Sequence, residues 1–320
     1  MDCINKADML RIVFGDYTFG VHGEEFDYIF SYGTGGLESL VVRGKEWLYR
    51  SPRPTFWRAL TDNDRGCRFQ LRSGMWLSAD MFVNCTGIRL WVDGQEYENP
   101  WAPNNNRWAD KDTAENIEIC YTYETITVPA TTVEVTYTVD GKGTIGVKVH
   151  YFGKEGLPEL PVFGMRFIMP TKAVGFTYEG LSGETYPVRM AGGLPGVYHV
   201  EGMPVTPYMV PQDCGVHMDT KWVEVTRNST KSNADAGNEE FSLRFAMVEE
   251  PFAFSCLPYT AEELENATHH EELPLPRRCV LSVLGAVRGV GGINSWGADV
   301  EKPYHISAEE DISFAFKIVI

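Results

Sequence analysis

The chain of 320 residues has no run of about 18 apolar residues, and its start, MDCINKADMLRIVFGDY, lacks a basic stretch followed by a long apolar one. No membrane partner and no secretion signal are expected, and a cytoplasmic location follows as the expectation. Positive charge is also scarce, with 28 Lys and Arg against 44 Asp and Glu and a formal charge of −16. Such a field repels nucleic-acid phosphates and anionic head groups, so no nucleic acid is expected among the partners. The seven cysteines (Cys3, Cys67, Cys85, Cys120, Cys214, Cys256, Cys279) are odd in number and scattered, with no C-x-x-C pair, which leaves free, mostly buried thiols as the expectation.

Several chemical signatures are missing too. There is no G-x-S-x-G elbow, and GGLPG and GAVRGVGG match neither phosphate-loop nor dinucleotide spacing. The histidines (His22, His150, His199, His217, His269, His270, His305) contain no H-E-x-x-H. His269-His270-Glu271 would place neighbouring side chains about 100° apart on a helix, so no metal site is expected there. Acids are abundant, but spacing alone does not show which two would share a cleft.

What the chain has in quantity is period-two patterning. LRIVF, YTFGV, FDYIFSY and LESLVV follow one another with turn residues between them, and similar runs continue at Ile117–Tyr123, Pro161–Met169, Phe241–Val248, Val280–Val287 and Ile312–Ile320. From Thr131 to Phe152 two alternating runs flank Asp140-Gly141, which predicts a hairpin with a tight turn there. Only two segments read as helical: Phe69–Met81, with Leu71, Met75 and Ala79 at four-residue spacing, and Thr260–His269, where Thr260 and Glu263 form a capping box. The expected fold is all-β, a large antiparallel β-sandwich with one or two short helices, in one domain over residues 1–320.

Three segments join aromatic residues to Asn, Asp or Arg and turn glycines, the combination that holds a sugar between a flat ring and directed hydrogen bonds. In TFWRALTDNDRG (55–66), side chains around Asp62, Asn63 and Asp64 are expected to hold a loop by Asx-type bonds, with Trp57 and Arg58 as anchors and Gly66 at positive φ as a hinge. In YEGLSGETYPVRM (178–190), Glu184 and Arg189 either face a ligand or form a buried pair that braces a turn. In GVGGINSWG (289–297), Trp296 on a Gly-rich loop is the candidate aromatic platform, with Asn294 and Ser295 beside it.

Taken with Trp76-x-x-Ala79, Gly183-Glu184-Thr185-Tyr186-Pro187, Tyr208-x-x-Pro211-Gln212, Gly215 and Tyr259…Leu264…His269, these segments resemble the small chain of β-galactosidases, also the C-terminal domain of long single-chain β-galactosidases of glycoside hydrolase family 2. The resemblance runs from about residue 7 to the end and implies a galactose-mutarotase-like supersandwich. It implies further that the catalytic glutamates lie on a TIM barrel that this chain does not contain, so no catalytic residue is expected here. The expected partners are a β-galactosidase large subunit, which would also hold the Mg and Na or K sites, and a galactoside substrate. By the same resemblance Trp296 lines the galactose pocket, with Asn294 and Ser295, and a mobile loop near the site involves Asp62, Asn63, Asp64 and Gly66. Val188 and Asp213 depart from the family pattern, where Asp and Glu are common, which puts contacts of those carboxylates in doubt. Two rival functions remain open: a stand-alone sugar epimerase using His150, His199 or His217 with Glu184, and a carbohydrate-binding module built on Trp296, Trp101 and Trp108.

Overall fold

A computed structural model describes residues 9–97, 112–294 and 297–320. Along Thr132–Asp140 the side chains of Val133, Val135, Tyr137 and Val139 are buried while their neighbours turn outward. This alternation gives a sheet one apolar face and one wet face, and the apolar faces must meet. Three sheets result, and every strand pair among the described residues is antiparallel. The largest has ten strands, in the order Pro195–Glu201, Gly175–Leu181, Trp222–Arg227, Phe241–Met247, Ile312–Val319, Ile145–Tyr151, Thr132–Asp140, Asn116–Glu124, Asn84–Val92 and Gln95–Tyr97.

A six-stranded sheet formed mainly by residues 10–46 and a five-stranded sheet lie against the ten-stranded one. Phe30 of the six-stranded sheet meets Tyr137 at 5.7 Å between ring centroids, and Phe167 of the five-stranded sheet meets Phe245 at 5.1 Å and Phe316 at 6.0 Å. One apolar cluster therefore contains residues of all three sheets. The architecture is the all-β antiparallel sandwich that the alternation predicts. No helix of the described residues is long and apolar enough to cross a membrane.

The five-stranded sheet, ordered Val216–Thr220, Phe252–Leu257, Cys279–Val287, Val162–Met169 and Arg50–Thr55, positions the site. Its strands Val162–Met169 and Phe252–Leu257 are buried at every residue, because the chain that leaves Thr55 folds back over their outer face. Phe56 stacks between Trp76 (5.3 Å) and Phe163 (5.7 Å). Arg166 reaches up from the sheet to donate to the Trp57 carbonyl (2.8 Å) and to Asp80 (2.7 Å).

Three local expectations change. The predicted helix over Phe69–Met81 is broken into helix α2 (Phe69–Ser73) and the 3₁₀ turns Gly74–Trp76 and Ala79–Met81, with Ser78 at φ 61°. Phe69, Ser73, Trp76 and Ala79 face inward while Leu71 and Met75 turn to solvent, since the indole of Trp76 is drawn to the Pro158 carbonyl (2.9 Å). The second helix, α3, spans Ala261–Asn266 with the Thr260–Glu263 capping box in place, and it stops short of His269. The hairpin is present, but its loop is longer than a tight Asp140-Gly141 turn. Gly143 (φ 79°), crowded by Phe26, is the left-handed residue, and its carbonyl accepts from the Tyr28 hydroxyl at 2.7 Å.

Candidate functional site

The Asp-Asn-Asp segment is helical. Helix α1 (Asp62–Gly66) starts at Thr61, whose hydroxyl accepts from the Asp64 N–H at 3.2 Å while the Asp64 carboxylate accepts from the Thr61 N–H at 2.9 Å. These reciprocal bonds satisfy donors that the helix start would leave unpaired. The expected Asx-held loop is thus a capped helical turn. Gly66 closes it without a positive φ, and the left-handed residue is Arg68 at φ 57°.

Asp64 is the centre of the site. Its carboxylate is buried between Arg58 (2.7 Å) and Arg288 (3.2 Å), both buried as well. Arg288 continues to Asp299, lies 3.5 Å from Glu159, and places its guanidinium 4.3 Å from the ring centre of Phe69. Glu159 pairs with His305 (2.6 Å), and Asp299 pairs with Arg72 of α2 (2.5 Å). Burial by itself would raise the Asp64 carboxyl, but Arg58 and the bonds from Arg58 and Thr61 outweigh it and hold the group below its ordinary value. The same competition, won by bonds from Arg288 and Arg72, keeps Asp299 low.

This network ties α1 to the Gly-rich loop that follows Arg288. Arg58 donates to the Gly289 carbonyl at 3.3 Å, and Asn63 donates to the Val290 carbonyl at 3.3 Å. Gly297 (φ 80°) rests directly on Gly66, where any Cβ would run into the Gly66 Cα. Asn294 accepts from the Ala298 N–H at 3.1 Å across the loop. Both ends of the segment that carries the candidate platform are therefore fixed. Ser295 and Trp296, like Trp101 and Trp108, lie outside the described residues.

The other family motifs clamp α1 from its far side. The Gln212 side chain accepts from the Asp62 N–H (3.0 Å) and donates to the Asp62 carboxylate (3.1 Å), and Arg65 donates to the Pro211 carbonyl (3.3 Å). Glu265 of α3 accepts from the Leu60 N–H at 2.7 Å. The buried Glu184–Arg189 pair is replaced by two separate contacts: Glu184 is exposed and accepts from Thr206 (2.8 Å), while Arg189 donates to the Gly291 carbonyl (3.4 Å). Val188 lies over Gly289, so an apolar side chain suits that position. Asp213 accepts from the Tyr186 hydroxyl at 2.7 Å.

Lost hydration is the largest influence on Asp213 and, only partly offset by Arg58 and the Tyr186 bond, pushes its pKa up to about 6. Arg288, Asp299, Glu159 and His305 escape a reading by motif, because they come together only through folding. A lone arginine interrupting the apolar run CVLSVLGAVRGV was the available signal.

The histidines named for an epimerase have other partners. His150 bonds Ser313 (2.6 Å) and His199 bonds Thr177 (3.1 Å). His217 is packed among Phe176, Tyr178 and Phe254, where desolvation lowers its pKa to about 4. Under the covering chain, the face of the five-stranded sheet keeps a cavity of about 30 Å³, lined by residues including Trp57, Arg58, Arg166 and Asp213. That space holds a water or two and no sugar. Nor do three His, Cys, Asp or Glu side chains converge as a metal site among the described residues.

Comparison with known proteins gives this framework its family. Residues 22–318 match the model of the "Beta galactosidase small chain". The chain belongs to the β-galactosidase small chain family. A "Beta-galactosidase small subunit" of Latilactobacillus sakei is 60% identical, over 98% of this chain and 99% of that one. A "Beta-galactosidase" of Halalkalibacterium halodurans is 32% identical over 98% of this chain, and one of Bifidobacterium adolescentis is 31% identical over 94%. The small-chain sequence spans only 28% and 26% of those two longer proteins. Among solved structures, a galactose mutarotase-like protein from Lactobacillus casei aligns over 94% of this chain and 99% of that one, with a TM-score of 0.41 and 10% identity.

Two outcomes test the framework. Asp64→Asn leaves two buried guanidinium groups without their shared charge, and the expected loss is about 3–5 kcal/mol in urea unfolding. Asp62→Asn on the exposed side should stay within about 0.5 kcal/mol of wild type. For Asp213 the folded group binds its proton up to about pH 6 and the unfolded one only to about 3.8. The folded state therefore holds more protons across that window, and the stability of the wild type should fall as pH rises through it, relative to Asp213→Asn, and level off above it. Thermal melts at pH 4, 5, 6 and 7 read the difference, and a constant gap between the two proteins would refute the assignment.

Proposed function

We propose that this chain is the small subunit of a heteromeric β-galactosidase, a retaining glycoside hydrolase, and that it completes a pocket whose catalytic glutamates belong to the large subunit. The observation that carries the proposal is the end-to-end match, 60% identity across 99% of a protein named as such a subunit. Two features of the chain agree with it. The carboxylates at the centre of the site are committed to arginines, so Asp64 and Asp299 have no freedom to act as nucleophile or acid. The cavity over the five-stranded sheet, about 30 Å³, is too small for a sugar.

The contribution of the chain is then to binding. The ion-pair framework holds Asn294 and Gly297 at the rim, and between them Trp296 would set a flat indole against the apolar face of a galactosyl ring and keep water from the glycosidic bond. Asn294 and Ser295 would add directed hydrogen bonds. The double displacement would use two partner glutamates about 5–5.5 Å apart. The Mg and Na or K sites belong to the large subunit in this scheme, with lactose and other β-galactosides as substrates.

The decisive measurement is hydrolysis of a chromogenic β-galactoside by this chain, by the large subunit of the L. sakei enzyme, and by their mixture. Activity confined to the mixture is expected, and hydrolysis by this chain alone would overturn the proposal. In the reconstituted complex, Trp296→Ala should lower kcat/KM on the order of tenfold, about 1.4 kcal/mol of transition-state binding, with assembly unchanged. Unaltered kinetics would remove Trp296 from the pocket.

A further inference from the structure

The broken segment that follows α1 leaves an unusual surface. Leu71 is 75% exposed, and Met75, Leu77, Met81 and Phe82 are also exposed, all within twelve residues. A second segment joins them: the Val128 N–H points at the Met75 sulfur at 3.4 Å, Val128 is 79% exposed, and Ile126 is exposed beside it. Scattered exposed apolar residues need no explanation, but a contiguous group marks a contact surface. The helix breaks at Gly74 and at the left-handed Ser78, and Leu71 and Met75 turn outward as Trp76 goes to the core.

The segment that builds this patch is less acidic than the rest of the molecule. Residues 65–82 contain Arg65, Arg68 and Arg72 and a single acid, Asp80, in a chain of net charge −16. Asp80 is buried against Arg166 and does not reach the surface. Arg65 is paired with Asp62 and Arg72 with Asp299, so outwardly the patch is apolar with one cation at its edge, Arg68, that has no ion pair among the described residues, which suits an apolar surface carrying an acid opposite it. Its position is equally specific. Arg72 on α2 pairs with Asp299 at 2.5 Å, so the patch is continuous with the edge that carries the 289–297 loop.

We infer that the face formed by Leu71, Met75, Leu77, Met81, Phe82 and Val128 is the docking surface for the large catalytic chain, seated on an apolar area of that partner that carries an acid opposite Arg68. The inference rests on the subunit function proposed above and adds the place of contact. The longer relatives support this occupant: a counterpart of this chain makes up 28% of the H. halodurans protein, and the rest of that polypeptide is permanently attached to it. A loop that completes a partner's pocket must lie beside the surface that holds the partner, and this face is joined to it through Arg72 and Asp299.

The test uses the full chain and the large subunit of the L. sakei enzyme, with association followed by calorimetry and by recovered galactoside hydrolysis. Leu71→Asp combined with Val128→Asp should weaken association at least tenfold, because two carboxylates replace exposed apolar groups at the centre of the contact. Val248→Asp and Leu275→Asp, which alter residues 51% and 88% exposed elsewhere, should associate within twofold of wild type. Because all four side chains are exposed, melting temperatures should stay level. Arg68→Glu should slow association most at low salt. Wild-type association by the double variant, while the wild-type chain complements normally, would overturn the docking surface and leave the subunit function standing. Failure of the wild-type chain itself to bind the large subunit would overturn both. A wild-type homodimer that the double variant abolishes would reassign the face to a second copy and overturn the inference.

Discussion

Asp64 lies in the interior between the guanidinium groups of Arg58 and Arg288, and its neighbours depend on that pairing. Removing one carboxylate and two guanidinium groups from water costs several kcal/mol per ion, and mutual attraction offsets the cost only when every partner is in place. The partners come from distant parts of the chain, with Arg58 and Asp64 beside the first helix and Arg288 at the end of a strand 224 residues later. Asp299, Glu159 and His305 complete the set. The network therefore forms only when the five-stranded sheet, its covering segment and the Gly-rich loop are assembled together.

The rigidity of this framework suits the binding role proposed for this chain within a hydrolase. A side chain that presses on a sugar ring must be held to within a fraction of an ångström to improve the transition state. Here the described ends of the Gly-rich loop are fixed by Asn63, Arg58 and the close approach of Gly297 to Gly66. The same segment that covers the sheet face supplies Arg58, which bonds the Gly289 carbonyl of the loop. Covering one face of the sandwich and anchoring the Gly-rich loop are thus two consequences of one chain path.

The broken helix illustrates a conflict between local pattern and tertiary demand. Leu71, Met75 and Ala79 have the spacing of a buried stripe, yet the core accepts Phe69, Trp76 and Ala79 and sends Leu71 and Met75 outward. Trp76 has a carbonyl to reach and a Phe56 ring to stack on, and those contacts outweigh four-residue periodicity. The hairpin loop behaves similarly. Asp140 and a following glycine were legible, but which glycine adopts the left-handed conformation is settled by Tyr28 and Phe26 on another sheet.

Alternation of apolar and polar residues by itself determined the all-β class, most strand positions and the capped third helix, because those depend on contacts within a few residues. Motif spacing determined the family and drew attention to Trp57, Arg58, the Asp-Asn-Asp run and the Gly-rich loop. Only the tertiary structure decided that Asp64 is a buried ion-pair centre, that Arg288, Asp299, Glu159 and His305 belong with it, and that Glu184 and Arg189 have separate partners. The physical reason is that a charge in the interior is defined by what surrounds it, and those surroundings are brought from more than a hundred residues away. Strand periodicity records which face of a residue is dry, and it carries no information about which distant charge will meet it there.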